Sequence, residues 1–93
     1  MLYNNNMDIK IIFKKSAFKH NVTEEDIRWA FNTAKYDNLV EGFDNKYLLI
    51  GFNTKGNLIE VMYSELANNT ASVFHAMSCR NELLALLPKR GDL

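Results

Sequence analysis

The sequence predicts an α+β fold: a mainly antiparallel sheet of four to five strands with two helices packed on it. Three observations predict it. Ile27, Ala30, Phe31 and Ala34 recur at i, i+3, i+4 and i+7, one face of a helix. Short β-branched and aromatic runs of strand length surround that helix, separated by turn residues. The last such run leads into a leucine-rich segment that Pro88 stops. Helices on one side of a largely antiparallel sheet satisfy such a pattern.

Taken in order, Asp8 to Phe13 reads as a strand from its β-branched content. Lys14 to His20 is a short helical turn, and Asn21 suits the left-handed residue that ends it. Thr23 is an N-cap, followed by Glu24, Glu25 and Asp26 where the helix dipole favours anions. Val22 and Ile27 occupy the two positions of a hydrophobic staple. Trp29 falls roughly opposite the apolar stripe. Tyr36 to Glu41 is a weak strand. Lys46 to Phe52 is a strong one, apolar on both faces and so expected inside the sheet. Asn53 to Asn57 is a hairpin loop, with Gly56 free to take positive φ. Leu58 to Glu65 alternates, with Ile59, Val61 and Tyr63 on one side and Glu60 and Ser64 on the other. Asn68-Asn69 fits a second tight turn. Ala71 to Met77 is the last strand. Ser78 then caps a final helix whose buried side is Leu83, Leu84, Leu86 and Leu87.

These 93 residues make one domain, expected over 8–88, with a disordered or extended segment at 1–7 and a polar tail at 89–93. Met7 is as good a start as Met1. A chain this size buries a modest fraction of its surface, which leaves room for a partner or a homodimer contact. No apolar run approaches the roughly 20 residues that span a bilayer, so no membrane role is expected. One cysteine, Cys79, cannot form an internal disulfide, and the expected location is the reducing cytoplasm. Lysines and arginines equal aspartates and glutamates at 11 each. The first 20 residues are nevertheless basic, with Lys10, Lys14, Lys15 and Lys19 against Asp8. A general nucleic-acid binder carries a clearer excess, so only a local patch is available.

The chain has no metal-ligand spacing, no phosphate-binding glycine loop and no glycine-flanked nucleophilic serine, and no cofactor is expected. A dispersed set remains: His20, Lys46, Tyr63, His75 and Arg80. Cleaving RNA without a metal needs a base for the 2′-hydroxyl, an acid for the leaving 5′-oxygen, and cations for the charge on phosphorus. Histidine suits the first two tasks and arginine the third. Each residue also has a plain structural role. His75 follows Val73 and Phe74 and can be a hydrogen-bonded, partly buried histidine. Arg80 can be a surface residue or pair with Glu82 or another acid, and Tyr63 shares the core face of its strand. His20 can simply close its turn. Trp29 can pack on a flank or stack on a base, and Lys14, Lys15 and Lys19 can form a solvated face or contact RNA.

Two stretches carry a family resemblance. Phe18-Lys19-His20-Asn21-Val22-Thr23-Glu24-Glu25-Asp26-Ile27 resembles the Lys-His-Gly-Val-Ser/Thr stretch and acidic helix start of BrnT-like toxins. Tyr47 to Gly51, Gly56 to Val61 and Val73 to Arg80 resemble the remainder of that domain, in a subgroup whose last strand ends in His-Ala-Met. The resemblance covers about residues 8–87. It implies a RelE/BrnT-like fold and a bacterial, cytoplasmic toxin of a type II toxin–antitoxin pair. Such a toxin is a metal-independent endoribonuclease that cleaves mRNA and is silenced by a cognate antitoxin protein. The matching site positions are His20, His75 and Arg80, with Lys46 and Tyr63 on facing strands. The chain departs from BrnT where His75-Ala76-Met77 replaces Ser-Ala-Arg, and where Asn21 replaces glycine. The missing strand-end arginine and the neutral charge keep a second reading open: a non-catalytic toxin-fold module that binds a small protein partner.

Overall fold

The structure, a computed structural model, describes residues 9–88. The expected segment 1–7, Asp8 and the tail 89–93 lie outside the described residues. Five strands form one sheet: β1 (Lys10–Phe13), β2 (Tyr36–Leu39), β3 (Tyr47–Phe52), β4 (Leu58–Leu66) and β5 (Thr70–Ser78). Their order is β1-β5-β4-β3-β2. All neighbours are antiparallel except β1 and β5, which run parallel. β2, β3, β4 and β5 form a meander joined by tight loops. β1 reaches the far edge because a 3₁₀ helix (Lys15–Phe18) and α1 (Glu24–Asn32) carry the chain across the sheet.

Local chemistry places α1 where the sequence puts it. The Thr23 hydroxyl accepts from the Asp26 N–H at 3.0 Å, and the Asp26 carboxylate accepts from the Thr23 N–H at 3.1 Å. This reciprocal cap satisfies two donors that a helix start otherwise leaves open. The Asp26 carboxylate also accepts from the Thr54 N–H and hydroxyl, at 3.0 and 2.9 Å, tying the helix to the β3–β4 hairpin. Asn21 takes φ 61°, and Asn68 and Asn69 take 63° and 55°, as their turn assignments require.

The core fills one face of the sheet. Leu49, Ile59, Val61, Tyr63, Ala71, Val73 and Ala76 pack there against Ile27, Ala30 and Phe31 of α1. Burying each larger side chain contributes about 1.5–3 kcal/mol. The helix lies close enough that a Cβ on Gly51 would sit 2.3 Å from the Ala30 carbonyl oxygen. The opposite face is not simply wet. Leu48 and Ile50 are buried there, in register with Met62 and Glu60. Apolar residues on both sides of β3 reflect this two-sided burial.

The C-terminal element differs from expectation. β5 runs through Ser78, so Ser78 is strand and not a cap. The last helix is a 3₁₀ helix, Asn81–Leu86, with Arg80 extended at its N-cap. None of its residues is fully buried, and Leu84 and Leu86 are exposed. The expected leucine face assumes 3.6 residues per turn, whereas a 3₁₀ helix has three, so the four leucines do not line one continuous face. Only Leu83 and Leu87 become half-buried. Two hydrogen bonds hold the preceding link straight: the Cys79 N–H donates to the Leu58 carbonyl, and the Arg80 N–H donates to Glu60.

Candidate active site

The site forms where β5 bulges. From the Asn68-Asn69 turn, the β4–β5 register runs Leu66↔Thr70 to Tyr63↔Val73, then shifts to Met62↔His75. Phe74 is the extra residue. An unbroken register would set His75 opposite Val61, in the core layer. The bulge moves it opposite Met62, on the face away from α1. The Ser16 hydroxyl donates to the Phe74 carbonyl at 2.6 Å, and the Lys14 N–H donates to the Val73 carbonyl at 2.9 Å. The first 3₁₀ helix is thereby pinned to the bulge.

On that face β4 presents Glu60, 0 % exposed. Its carboxylate collects four hydrogen bonds. Arg80 grips it side-on, with Nε to Oε1 at 3.0 Å and Nη2 to Oε2 at 2.7 Å. The Arg80 backbone N–H adds a third at 3.1 Å. His75 Nε2 lies 2.9 Å from Oε2. Burial is the largest influence on this carboxyl and pushes its pKa up. The bonds from Arg80 and His75 and the guanidinium charge together outweigh it, so the net shift is downward. An ionised carboxylate only accepts, so His75 carries its hydrogen on Nε2. Nδ1 is then left to take a proton. Arg80 is held as a permanent cation, its pKa raised by the same bonds.

His75 and Arg80 therefore converge, with side chains 24 % and 43 % exposed. A side-on grip uses two of the five guanidinium N–H donors and leaves three directed elsewhere. His20 joins them, its ring 5.9 Å from that of His75 in an edge-on arrangement. Lys46 lies further along the same face. Its ammonium sits 4.5 Å from the Phe43 ring centre and 6.0 Å from that of Phe74, the bulge residue next to His75.

The other expected positions lie elsewhere. Tyr63 is buried on the helix side of the sheet, its hydroxyl donating to Asp37 at 2.6 Å and its ring stacked on Tyr47. Trp29 is exposed on α1, in the layer across the sheet from His75. Lys14, Lys15 and Lys19 are exposed beside the first 3₁₀ helix, in the segment that ends at His20. Cys79 is half-buried; burial, then the Glu60 charge, raises its thiol pKa and keeps it protonated. A pocket lined by Ile9, Ile11, Arg28, Phe31 and Asn32 lies on the helix side and holds none of the candidate site residues. Among the described residues, no group of three or more His, Cys, Asp or Glu side chains is placed to hold a metal.

Glu60 is the residue that sequence reasoning missed. It stands between Ile59 and Val61 in an alternating strand, where a charged residue reads as solvent-facing. The usable signal was complementarity: a carboxylate on one hairpin strand, with a histidine and an arginine on and after the other.

A solved structure matches this fold. The crystal structure of the ribonuclease toxin BrnT from Brucella abortus superposes with a TM-score of 0.59, over 78% of this chain and 99% of that one, at 18% sequence identity. The fold is BrnT-like. No protein-family model matches the chain, and no curated protein does. The match spans nearly all of BrnT. It bears out the predicted α+β fold.

Proposed function

We propose that the chain is a ribonuclease toxin that cleaves mRNA without a metal ion. The observation that carries this reading is a buried Glu60 carboxylate bonded to both His75 and Arg80, with the His20 ring 5.9 Å from that of His75. In the proposed reaction, His75 Nδ1 takes the 2′-hydroxyl proton, and the 2′-oxygen attacks phosphorus. The bond from phosphorus to the 5′-oxygen breaks, and protonated His20 gives its proton to that oxygen. The products are a 2′,3′-cyclic phosphate and a 5′-hydroxyl end. Arg80 offers its free N–H donors to the equatorial phosphoryl oxygens, and Lys46 supplies a second cation. Glu60 touches no substrate. It fixes the His75 tautomer and aims the guanidinium, as the carboxylate of a hydrolase triad orients its histidine. A cognate antitoxin that covers this face would silence the enzyme in the cytoplasm.

The BrnT-like fold supports the reading, since the matched protein is itself described as a ribonuclease toxin. The test is incubation of purified protein with single-stranded RNA in excess EDTA. Cleavage to 2′,3′-cyclic ends by the wild type, lost in His75→Ala and in Arg80→Ala, is expected. Expression in bacteria should arrest growth, and His75→Ala should relieve the arrest. Intact RNA together with normal growth would overturn the proposal.

One observation favours a second reading. Glu60 already occupies three donors of Arg80, two on the guanidinium and one backbone N–H, and one nitrogen of His75, which is how a purely structural buried carboxylate is satisfied. The chain would then be a non-catalytic module whose exposed apolar residues meet a small protein partner. Toxicity that depends on His75 rules this out.

A further inference from the structure

Resting on the ribonuclease reading, we infer that Phe43, Lys46 and Phe74 form a nucleobase-stacking subsite for single-stranded RNA beside His75. Phe43 is 50 % exposed, a large aromatic surface in the loop between β2 and β3. The loop holds its shape. Gly42 takes φ 88°, the Phe43 N–H donates to the Val40 carbonyl at 3.1 Å, and the Val40 N–H donates to the Lys46 carbonyl at 2.7 Å. Asn45 closes it onto β4, donating to the Glu65 carbonyl at 2.9 Å and accepting from the Glu65 N–H at 2.7 Å. The aromatic surface is therefore presented and not merely left over.

The Lys46 ammonium is the second observation. It reaches the faces of Phe43 and Phe74, and among the described residues no carboxylate lies within ion-pair distance of it. A cation held over aromatic rings, with its N–H donors unspent on carboxylates, matches a ligand that brings an anion and a flat apolar group together. A nucleotide does so, with its phosphate on Lys46 and its base on Phe43. Phe74 carries the row to His75, its neighbour in the bulge. The subsite thus takes the nucleotide flanking the scissile phosphate. Stacking of this kind tolerates any base, since every base has a π face.

The test measures binding of an uncleavable 2′-O-methyl pentanucleotide to the full chain by fluorescence anisotropy. The expected result is a loss of about ten-fold in affinity for Phe43→Ala, within the range for one base on one aromatic side chain. Phe43→Tyr, which keeps the ring, should restore binding. An abasic oligonucleotide of equal charge should bind the wild type less tightly and lose its dependence on residue 43. His75→Ala, which abolishes cleavage, should keep the Phe43-dependent binding. Equal affinity for wild type and Phe43→Ala, or equal affinity for base-bearing and abasic oligonucleotides, would overturn the inference and leave the ring to a protein contact. RNA that stays intact with the wild type would instead overturn the ribonuclease reading, so the two failures separate.

Discussion

Arg80 contacts Glu60 through three donors, two from its guanidinium and one from its own backbone, and Glu60 has no solvent exposure while the Arg80 side chain keeps 43 %. The two partners therefore differ in what their removal leaves behind. Arg80→Ala strands a buried carboxylate on His75 and one backbone N–H. Glu60→Met replaces the carboxylate with an apolar group of similar size and frees an arginine that can solvate. Breaking a buried pair from one side costs far more than replacing the buried charge with apolar bulk. Thermal denaturation should show a drop in Tm on the order of 5–10 °C for Arg80→Ala and only a few degrees for Glu60→Met. The reverse order would show that Glu60 is not held as an ionised group.

Gly51 is small for a packing reason. A Cβ there would meet the Ala30 carbonyl oxygen at 2.3 Å, and that oxygen is backbone, so no side-chain rotation relieves the clash. Gly51→Ala forces α1 off β3 and should destabilise by about 1–3 kcal/mol, the usual cost of overpacking. Urea denaturation measures it. Relief by a compensating shrinkage at position 30 is not expected, because the clash is with main chain.

Most elements were legible because each rests on local chemistry. Thr23 and Asp26 cap α1, Asn21, Asn68 and Asn69 take left-handed conformations, and Ile59, Val61 and Tyr63 face the core. The site was legible in its residues but not in its arrangement. The extra residue at Phe74 turns His75 from the Val61 layer to the Met62 layer, and a one-residue register shift leaves no mark in hydropathy. Glu60 was obscured by the same rule that correctly oriented Ile59 and Val61. Alternation assigns a side chain to a face, and says nothing of whether that face is covered. The last helix was misread because leucine spacing does not separate a 3₁₀ from an α-helix over six residues.

Asp26 predicts an acid limb in the stability profile. Its pKa falls from 3.8 to about 2, chiefly through the Thr54 N–H bond, with smaller contributions from Thr23 and the Thr54 hydroxyl. A carboxyl whose folded pKa lies below its unfolded one stabilises the fold above the unfolded value. That contribution is lost as pH falls through the folded value, here between about pH 4 and about pH 2. Glu60, also lowered, adds to the same limb, whereas Asp37, raised by burial, opposes it. Urea midpoints measured from pH 6 to pH 2 should fall less steeply in Asp26→Asn than in the wild type. At neutral pH Asp26→Ala should cost about 1 kcal/mol, typical of a lost helix cap. Parallel pH profiles for wild type and Asp26→Asn would refute the assignment.

The sharpest kinetic prediction concerns Glu60→Gln, which keeps shape and removes charge. Glutamine offers one acceptor and one NH2 donor. Two Arg80 donors, Nε and the backbone N–H, meet at Oε1, so the amide oxygen takes that place and the NH2 takes that of Oε2, facing His75 and giving up the bond from Arg80 Nη2. His75 Nε2 must then accept, its hydrogen moves to Nδ1, and the nitrogen proposed as the base is blocked. The equivalent loss of tautomer control in hydrolase triads costs about 10⁴ in turnover. A fall in kcat of roughly 10²–10⁴ is expected for RNA cleavage, with KM changed little because the phosphate-facing donors of Arg80 remain. Circular dichroism should report an intact fold. Binding of the uncleavable oligonucleotide should also persist. Glu60→Asp should recover part of kcat by restoring a carboxylate that only accepts. A variant that cleaves at the wild-type rate would remove Glu60 from the mechanism and leave it a structural anion. A variant that loses oligonucleotide binding and kcat together would mean that Glu60 acts by holding the whole face in place, and not by setting which nitrogen of His75 is free.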